Sequence, residues 1–201
     1  TSSRVAVTDF NSDATSTEVI DAAQSDLTTG ADGSIVLIVN AGDLTLNDGD
    51  SSVTQSNGDS REANGTSVNS NGAGNILLNA AAGSISVQSA VDGGTGHISL
   101  ISGNDITQTA DGDISTTDSG TIDLEAGNDI TMVDGAAAST ADQNIRYKAA
   151  GDISLGGLNA GTASLSLIAG SNILDGGDTD TDLTSANLRM SAGGNIGEAS
   201  G

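Results

Sequence analysis

Short stretches of alternating apolar and polar residues recur in pairs along this chain. The first stretch of each pair opens at Ile35, Ile76, Ile98, Ile122, Ile145, Leu165 or Leu188. The second opens at Leu44, Ile85, Ile106, Ile130, Ile153, Ile173 or Ile196. Within a pair the two openings lie 9 residues apart in the first two copies and 8 in the other five. Successive pairs are separated by 41, 22, 24, 23, 20 and 23 residues. Periods of this size mark stacked repeats rather than one core assembled from distant elements.

The segment Gly120–Met132 shows the unit. Ile122, Leu124 and Ala126 alternate with Thr121, Asp123 and Glu125, then Gly127-Asn128-Asp129 intervenes before Ile130. Period-two alternation places the first set inside and the second outside. The third inward position is Ala in most copies and Ser102 in one, small enough for a chain about to turn a corner. The corners read Gly-Asn-Asp, Gly-Asp, Gly-Ser-Asn or Gly-Gly-Asn, residues that accept the positive φ of a tight turn. A less regular third segment follows, around Ile114, Ala137, Leu158 and Leu183. Three short strands and three corners per repeat predict an all-β solenoid, a parallel β-helix of about seven coils with roughly 20–24 residues in each. Strand chirality favours the right-handed form.

Two regions break the pattern. The 41-residue step contains Asp48–Asn71, almost entirely Ser, Asn, Asp, Gly and Thr, and predicts a polar insertion at 48–71 within a solenoid covering 33–201. Residues 1–32 predict an N-terminal cap or an imperfect coil: Val5 and Val7 alternate as in a strand, while Thr15–Glu18 reads as a capping box ahead of a short helix. A solenoid end needs a cap, and no such segment is evident after Ile196, so the chain reads as a piece of something longer.

Composition narrows the picture. Leu, Ile, Val and Phe number 42 of 201 residues and the net charge is −22, close to the range of disordered chains, but seven copies of one spacing argue for order. With one Phe, one Tyr and no Trp, the interior must be a thin aliphatic column. There is no Cys for a disulfide or for thiol chemistry. Strong acidity opposes binding to nucleic acid or to an anionic membrane, and favours cations.

The stretches GTIDLEAGNDITM, GHISLISGNDITQ and ASLSLIAGSNIL resemble coils of filamentous-haemagglutinin-like exoproteins and other giant bacterial surface adhesins, over about residues 33–201. The resemblance implies a right-handed parallel β-helix, an extracellular or cell-surface location and a stalk-like role.

Candidate sites follow from the stacking register. An Asp or Asn precedes most of the second strands: Asp43, Asp105, Asp129, Asp152, Asn172 and Asn195. Carboxylates at Asp105, Asp129 and Asp152, about 5 Å apart, would repel unless turn donors or calcium relieved them. Asp178, Asp180 and Asp182 alternate along an extended stretch that resembles a single calcium-binding nonapeptide repeat. No cofactor is required, and calcium is the one ligand the pattern suggests. Asp123 and Glu125 fall opposite Arg146 and Lys148 of the next coil, in an outward row that also holds Arg189. Thr45, Ser86, Thr107, Thr131 and Ser154 form a hydroxyl row. His97 is outward with no evident partner and Tyr147 is inward, so no acid–base pair or nucleophile constellation emerges and no enzyme is expected. The expected function is a stiff acidic rod segment of an extracellular adhesin or matrix protein. Its partners would be neighbouring repeats of the parent chain. The alternatives are a fibre subunit stacking on identical copies end to end, and a module binding surface glycans or a receptor.

Overall fold

The computed structural model describes residues 26–48, 65–176 and 180–197, and the backbone of two further strands at 6–10 and 16–20. The seven-layered architecture is a parallel β-helix. Three sheets run along its axis, each of seven parallel strands. The first sheet stacks Ile35–Val39, Ile76–Ala80, Ile98–Ser102, Ile122–Ala126, Ile145–Ala149, Ser164–Ala169 and Asn187–Ala192. The second stacks Leu44–Leu46, Ile85–Val87, Ile106–Gln108, Ile130–Met132, Ile153–Leu155, Ile173–Asp175 and Ile196–Gly197. The third stacks Leu27–Thr28, Thr66–Asn69, Ala90–Asp92, Ile114–Ser115, Ala137–Ser139, Gly157–Asn159 and Leu183–Thr184. Each layer visits the third sheet, then the first, then the second.

The register is the one the spacing predicts. Ile35 pairs with Ile76, Ile76 with Ile98, Ile98 with Ile122, and the column continues through Ile145 and Leu165 to Leu188. Identical columns stack because a one-residue slip would turn every inward aliphatic outward. The interior is a rod of Ile, Leu, Val and Ala: Leu44, Ile76, Leu78, Ile98, Leu100, Ile122 and Leu124 are all at most 1% exposed. In the third sheet the inward residue is Ala138 rather than Ala137, since Ala138 pairs with Ile114 and Leu158.

The 41-residue step is one coil with an insertion. Its third-sheet strand is Thr66–Asn69, inside the 48–71 stretch, and pairs with Ala90–Asp92 through a register shift at Thr66/Val68. Residues 49–64 lie outside the described residues.

Two expectations are corrected. The capping box at Thr15–Glu18 starts no helix: β1 (Ala6–Phe10) and β2 (Ser16–Ile20) form an antiparallel hairpin, Val7 opposite Val19. Thr17, Val19 and Ile20 are β-branched and lose more freedom in a helix than in a strand. Leu27, farther along the chain, begins the third sheet.

The second correction concerns glycine. Positive φ is needed at another corner, the one leading from the third sheet into the first. There Asp32, Asn71, Gly94, Asp118, Asp142 and Gly161 have φ of 63°, 47°, 52°, 46°, 60° and 54°. Asp, Asn and Gly are the residues that tolerate this region. At the Gly-Asn-Asp corner only Gly42 has positive φ. The other glycines there serve close approach: a Cβ on Gly127 would meet the carbonyl of Gly103 one layer back, and one on Gly193 the carbonyl of Gly170.

Candidate functional site

The row before the second strands is a hydrogen-bonded ladder that runs the length of the solenoid. The backbone N–H of Ser84 donates to Asp43 Oδ1 (2.8 Å), and that of Asp105 to Ser84 Oγ (3.3 Å). The N–H of Asp129 donates to Asp105 Oδ1 (3.1 Å), that of Asp152 to Asp129 Oδ1 (2.7 Å), and that of Asn172 to Asp152 Oδ1 (2.7 Å). The N–H of Asn195 donates to Asn172 Oδ1 (2.9 Å). At a corner the chain changes sheets, so these N–H groups lose the strand ladder; a short oxygen-bearing side chain one layer back replaces it.

The same donors answer the repulsion between stacked carboxylates. Asn128 Nδ2 donates to Asp105 Oδ1 (2.7 Å), and Asn172 Nδ2 to Asp152 Oδ1 (2.8 Å). Hydrogen bonding from the Ser171 hydroxyl, then from the Asn172 backbone and side chain, holds Asp152 below its ordinary carboxylate value. Among the described residues no three His, Cys, Asp or Glu side chains are grouped to hold a metal ion. Of the second candidate, Asp178 lies outside the described residues. Asp180 is exposed, and the Asp182 carbonyl accepts the Leu158 N–H (2.6 Å).

The ladder makes a direct prediction. Asp129→Ala removes the acceptor for Asp152 and costs about 1 kcal/mol in chemical denaturation, whereas Asp129→Asn keeps the acceptor and the stability. Equal losses for both would mean that the charge, not the hydrogen bond, matters. Likewise, a ladder satisfied by N–H donors melts at the same temperature in calcium and in EDTA. A rise in calcium would show that a cation completes the row.

A second ladder lies before the first strands, and it takes up His97. The N–H of Asn75 donates to Ser34 Oγ (3.1 Å), and that of His97 to Asn75 Oδ1 (2.9 Å). The N–H of Thr121 donates to His97 Nδ1 (3.2 Å), which also lies 2.9 Å from Thr121 Oγ1, and that of Ser164 to Asn144 Oδ1 (3.0 Å). The expectation of an unpartnered His97 is therefore corrected: imidazole Nδ1 stands in for an Asn oxygen. The signal was in the column itself, since Ser34, Asn75, His97, Thr121, Asn144 and Ser164 all carry a side-chain acceptor.

On the outer face of the first sheet the charge pairs form as spacing predicts. Arg146 Nε and Nη2 donate to Asp123 Oδ1 and Oδ2, both at 2.7 Å, and Nη2 lies 3.6 Å from Glu125. Lys148 Nζ donates to Glu125 Oε1 (2.7 Å). The Lys148 hydrogen bond, with Arg146 adding, holds Glu125 below its ordinary value; the Asp123 hydrogen bond raises Arg146. The side chains are 37–44% exposed, so water screens them. Lys148→Ala accordingly costs a few tenths of a kcal/mol in a denaturant titration. A loss several times larger would show the pairs to be a main support of the stack. Arg189 stacks opposite Ser166, without such a partner in register. The hydroxyl row Thr45, Ser86, Thr107, Thr131 and Ser154 forms in register and ends at Leu174.

The interior holds one polar pair that the sequence did not reveal. Tyr147 and Gln108 are both 0% exposed. Tyr147 Oη donates to Gln108 Oε1 (2.6 Å), and Gln108 Nε2 donates to the carbonyls of Gly112 (3.1 Å) and Ala137 (3.3 Å). Burial pushes the Tyr147 phenol well above its ordinary value. The available signal was Gln108 standing between Val87 and Met132 in a column that Leu46 opens.

An open hollow of about 340 Å³ lies beside the insertion, lined by Asp48, Gly65, Gln88, Ser89, Ala110, Asp111 and Asp113. Gly65 N–H closes its rim onto Asp48 Oδ2 (2.8 Å). Comparison with protein-family models, with curated proteins and with solved structures finds no match to this chain.

Proposed function

We propose that this chain is a structural segment of an extracellular bacterial adhesin or matrix protein, a stiff acidic rod that sets distance rather than performing chemistry. The observation that carries this reading is the use made of its polar side chains. The Asp row, the His97 row and Tyr147, the groups a catalyst or a metal site would draw on, each hold the backbone or interior of a neighbouring layer. Stiffness follows from the same construction, because every layer is hydrogen-bonded to the next along three sheets and two side-chain ladders. The acidic surface keeps such rods soluble and apart. The bacterial and extracellular assignment comes from the resemblance of the coils.

Duplicating one coil, residues 98–121, tests the rod. The variant is expected to lengthen by one strand spacing, about 4.8 Å, and to melt at or above the parent's temperature. Misfolding of the duplicated chain would show that the layers are not interchangeable and would sink the reading. A second reading, a glycan- or receptor-binding module, draws on the hollow beside the insertion. Saturable binding on a glycan array that disappears when residues 49–64 are replaced by a short Gly-Ser link would favour it over the rod.

A further inference from the structure

The outer face of the first sheet is unlike the rest of this acidic rod. Its outward positions hold Arg146, Lys148 and Arg189 against only Asp123 and Glu125, so three of the chain's 5 bases and two of its 27 acids lie here. The face is thus slightly positive within a chain of net charge −22. Asp123, Glu125, Arg146 and Lys148 already pair with one another, which leaves a neutral strip across the middle layers.

Over the first three layers the same face is apolar. Val36 and Leu77 stack in one outward column, and Ile38, Asn79 and Ile101 in the other. Val36, Ile38 and Ile101 are 64%, 52% and 41% exposed. Farther along, the same two columns carry the Asp123–Arg146 and Glu125–Lys148 pairs instead. Asn79 does not break the patch: its Oδ1 has no hydrogen-bond partner and is already out of reach of water, so covering it removes no hydration. A contiguous apolar patch on an exposed face marks a contact surface. This one lies on the side of the rod, so it does not depend on what adjoins either end.

We propose that this face packs against the same face of a second copy, the two rods side by side and parallel. Charge favours that occupant on that side. The remaining acids lie off this face and drive two copies apart wherever other sides meet, whereas here a neutral strip meets a neutral strip. Size agrees. Five-residue strands over seven layers cover about 17 by 34 Å, so full overlap buries roughly 1,100 Å² in total, just above the ~1,000 Å² that a specific contact needs. Only the parallel arrangement overlaps all seven layers and also lays the apolar layers on one another; Val36 then faces Ile38 of the copy. Antiparallel overlap would set Val36 and Ile38 on the Arg189 layer. The parallel contact has two-fold symmetry, uses one surface twice and closes at a pair.

Sedimentation equilibrium tests it. The chain is expected to show a monomer–dimer equilibrium that tightens as salt rises, because salt screens the repulsion left between two strongly acidic rods. Ile38→Lys with Ile101→Lys should weaken the dimer by more than about tenfold. Val133→Lys, at an exposed position following the second-sheet strand Ile130–Met132, should leave it unchanged. Should the lysine pair fold poorly, Ile38→Thr with Ile101→Thr makes the same comparison. A chain monomeric up to millimolar concentration in high salt, or a dimer indifferent to substitution at Ile38 and Ile101, overturns the proposal. Orientation is read separately. The chain has no Cys, so Ser191→Cys introduces a single thiol. Parallel pairing brings the two thiols into one layer, and a short bismaleimide is expected to join them. Antiparallel overlap holds them six layers apart, about 29 Å, so a dimer that resists this cross-link also overturns the proposal.

Discussion

Gly96→Ala is expected to destabilise the solenoid by about 3 kcal/mol, although Ala elsewhere is the mildest of substitutions. Gly96 is buried at the corner that leads into the first sheet, stacked between Gly74 and Gly120. A Cβ there would run into the Gly74 carbonyl, with the Ala73 carbonyl close behind. All of these are backbone atoms, so no side chain can swing aside; the two layers must part. Parting them stretches the ladder bonds on either side, including Ile76 N–H to the His97 carbonyl (2.8 Å) and Ile98 N–H to the Thr121 carbonyl (2.9 Å). Gly30 is the control, since a Cβ there meets nothing within 4 Å. Gly30→Ala should change stability by less than about 0.5 kcal/mol, in either direction. Guanidinium denaturation of the two variants makes the comparison. Equal effects would mean that the layers are loosely stacked, and the close-packed picture of the corners would fail.

Tyr147→Phe is expected to cost about 1–3 kcal/mol, because it strands Gln108 Oε1 at a fully buried position. Gln108→Met should cost more, since it strands the Tyr147 hydroxyl and the carbonyls of Gly112 and Ala137 together. The double variant should be little worse than Gln108→Met alone, because the lost Tyr–Gln bond would otherwise be counted twice. Strict additivity would show that the pair is not coupled. The same residue has a pH signature. Burial raises the folded-state pKa of Tyr147 above its ordinary 10.0, so its contribution is complete below pH 10 and is lost as pH rises beyond it. Stability should then fall by about 1.4 kcal/mol per pH unit above that point. Tyr147 is the single tyrosine of the chain, so tyrosinate absorbance should appear only as the protein unfolds. Tyrosinate forming in the folded protein would contradict its burial, and Tyr147→Phe should remove this part of the alkaline limb.

Acid works in the opposite sense. Asp152 and Glu125 are held below their ordinary values of 3.8 and 4.5. Their stabilising contribution is therefore present above those values and is lost as pH falls through the lowered ones. Both effects arise from layer-to-layer hydrogen bonds, so they report on stacking rather than on any single strand.

The sequence by itself determined the period, the first two strands of each layer, their inward columns and the Asp123–Arg146 and Glu125–Lys148 pairs. All of these follow from alternation within a few residues and from equal spacing between copies, and parallel in-register stacking leaves one way to align them. Tertiary structure decided the rest. The oxygen of Asp129 holds the N–H of Asp152, 23 residues on, because the corner turns that N–H away from its strand. Glycine is needed at the Gly-Asn-Asp corner because two backbones touch there, and contact between layers leaves no local trace. His97 and Gln108 found partners in other layers, 24 and 39 residues away, that no short-range pattern connects to them. Thr15–Glu18 carries a legitimate helix-start signal, yet the strand won because pairing with Ala6–Phe10 outweighs a local cap. Local chemistry fixes which residues can face inward; which side chain must hold which backbone depends on how one coil lies upon the next.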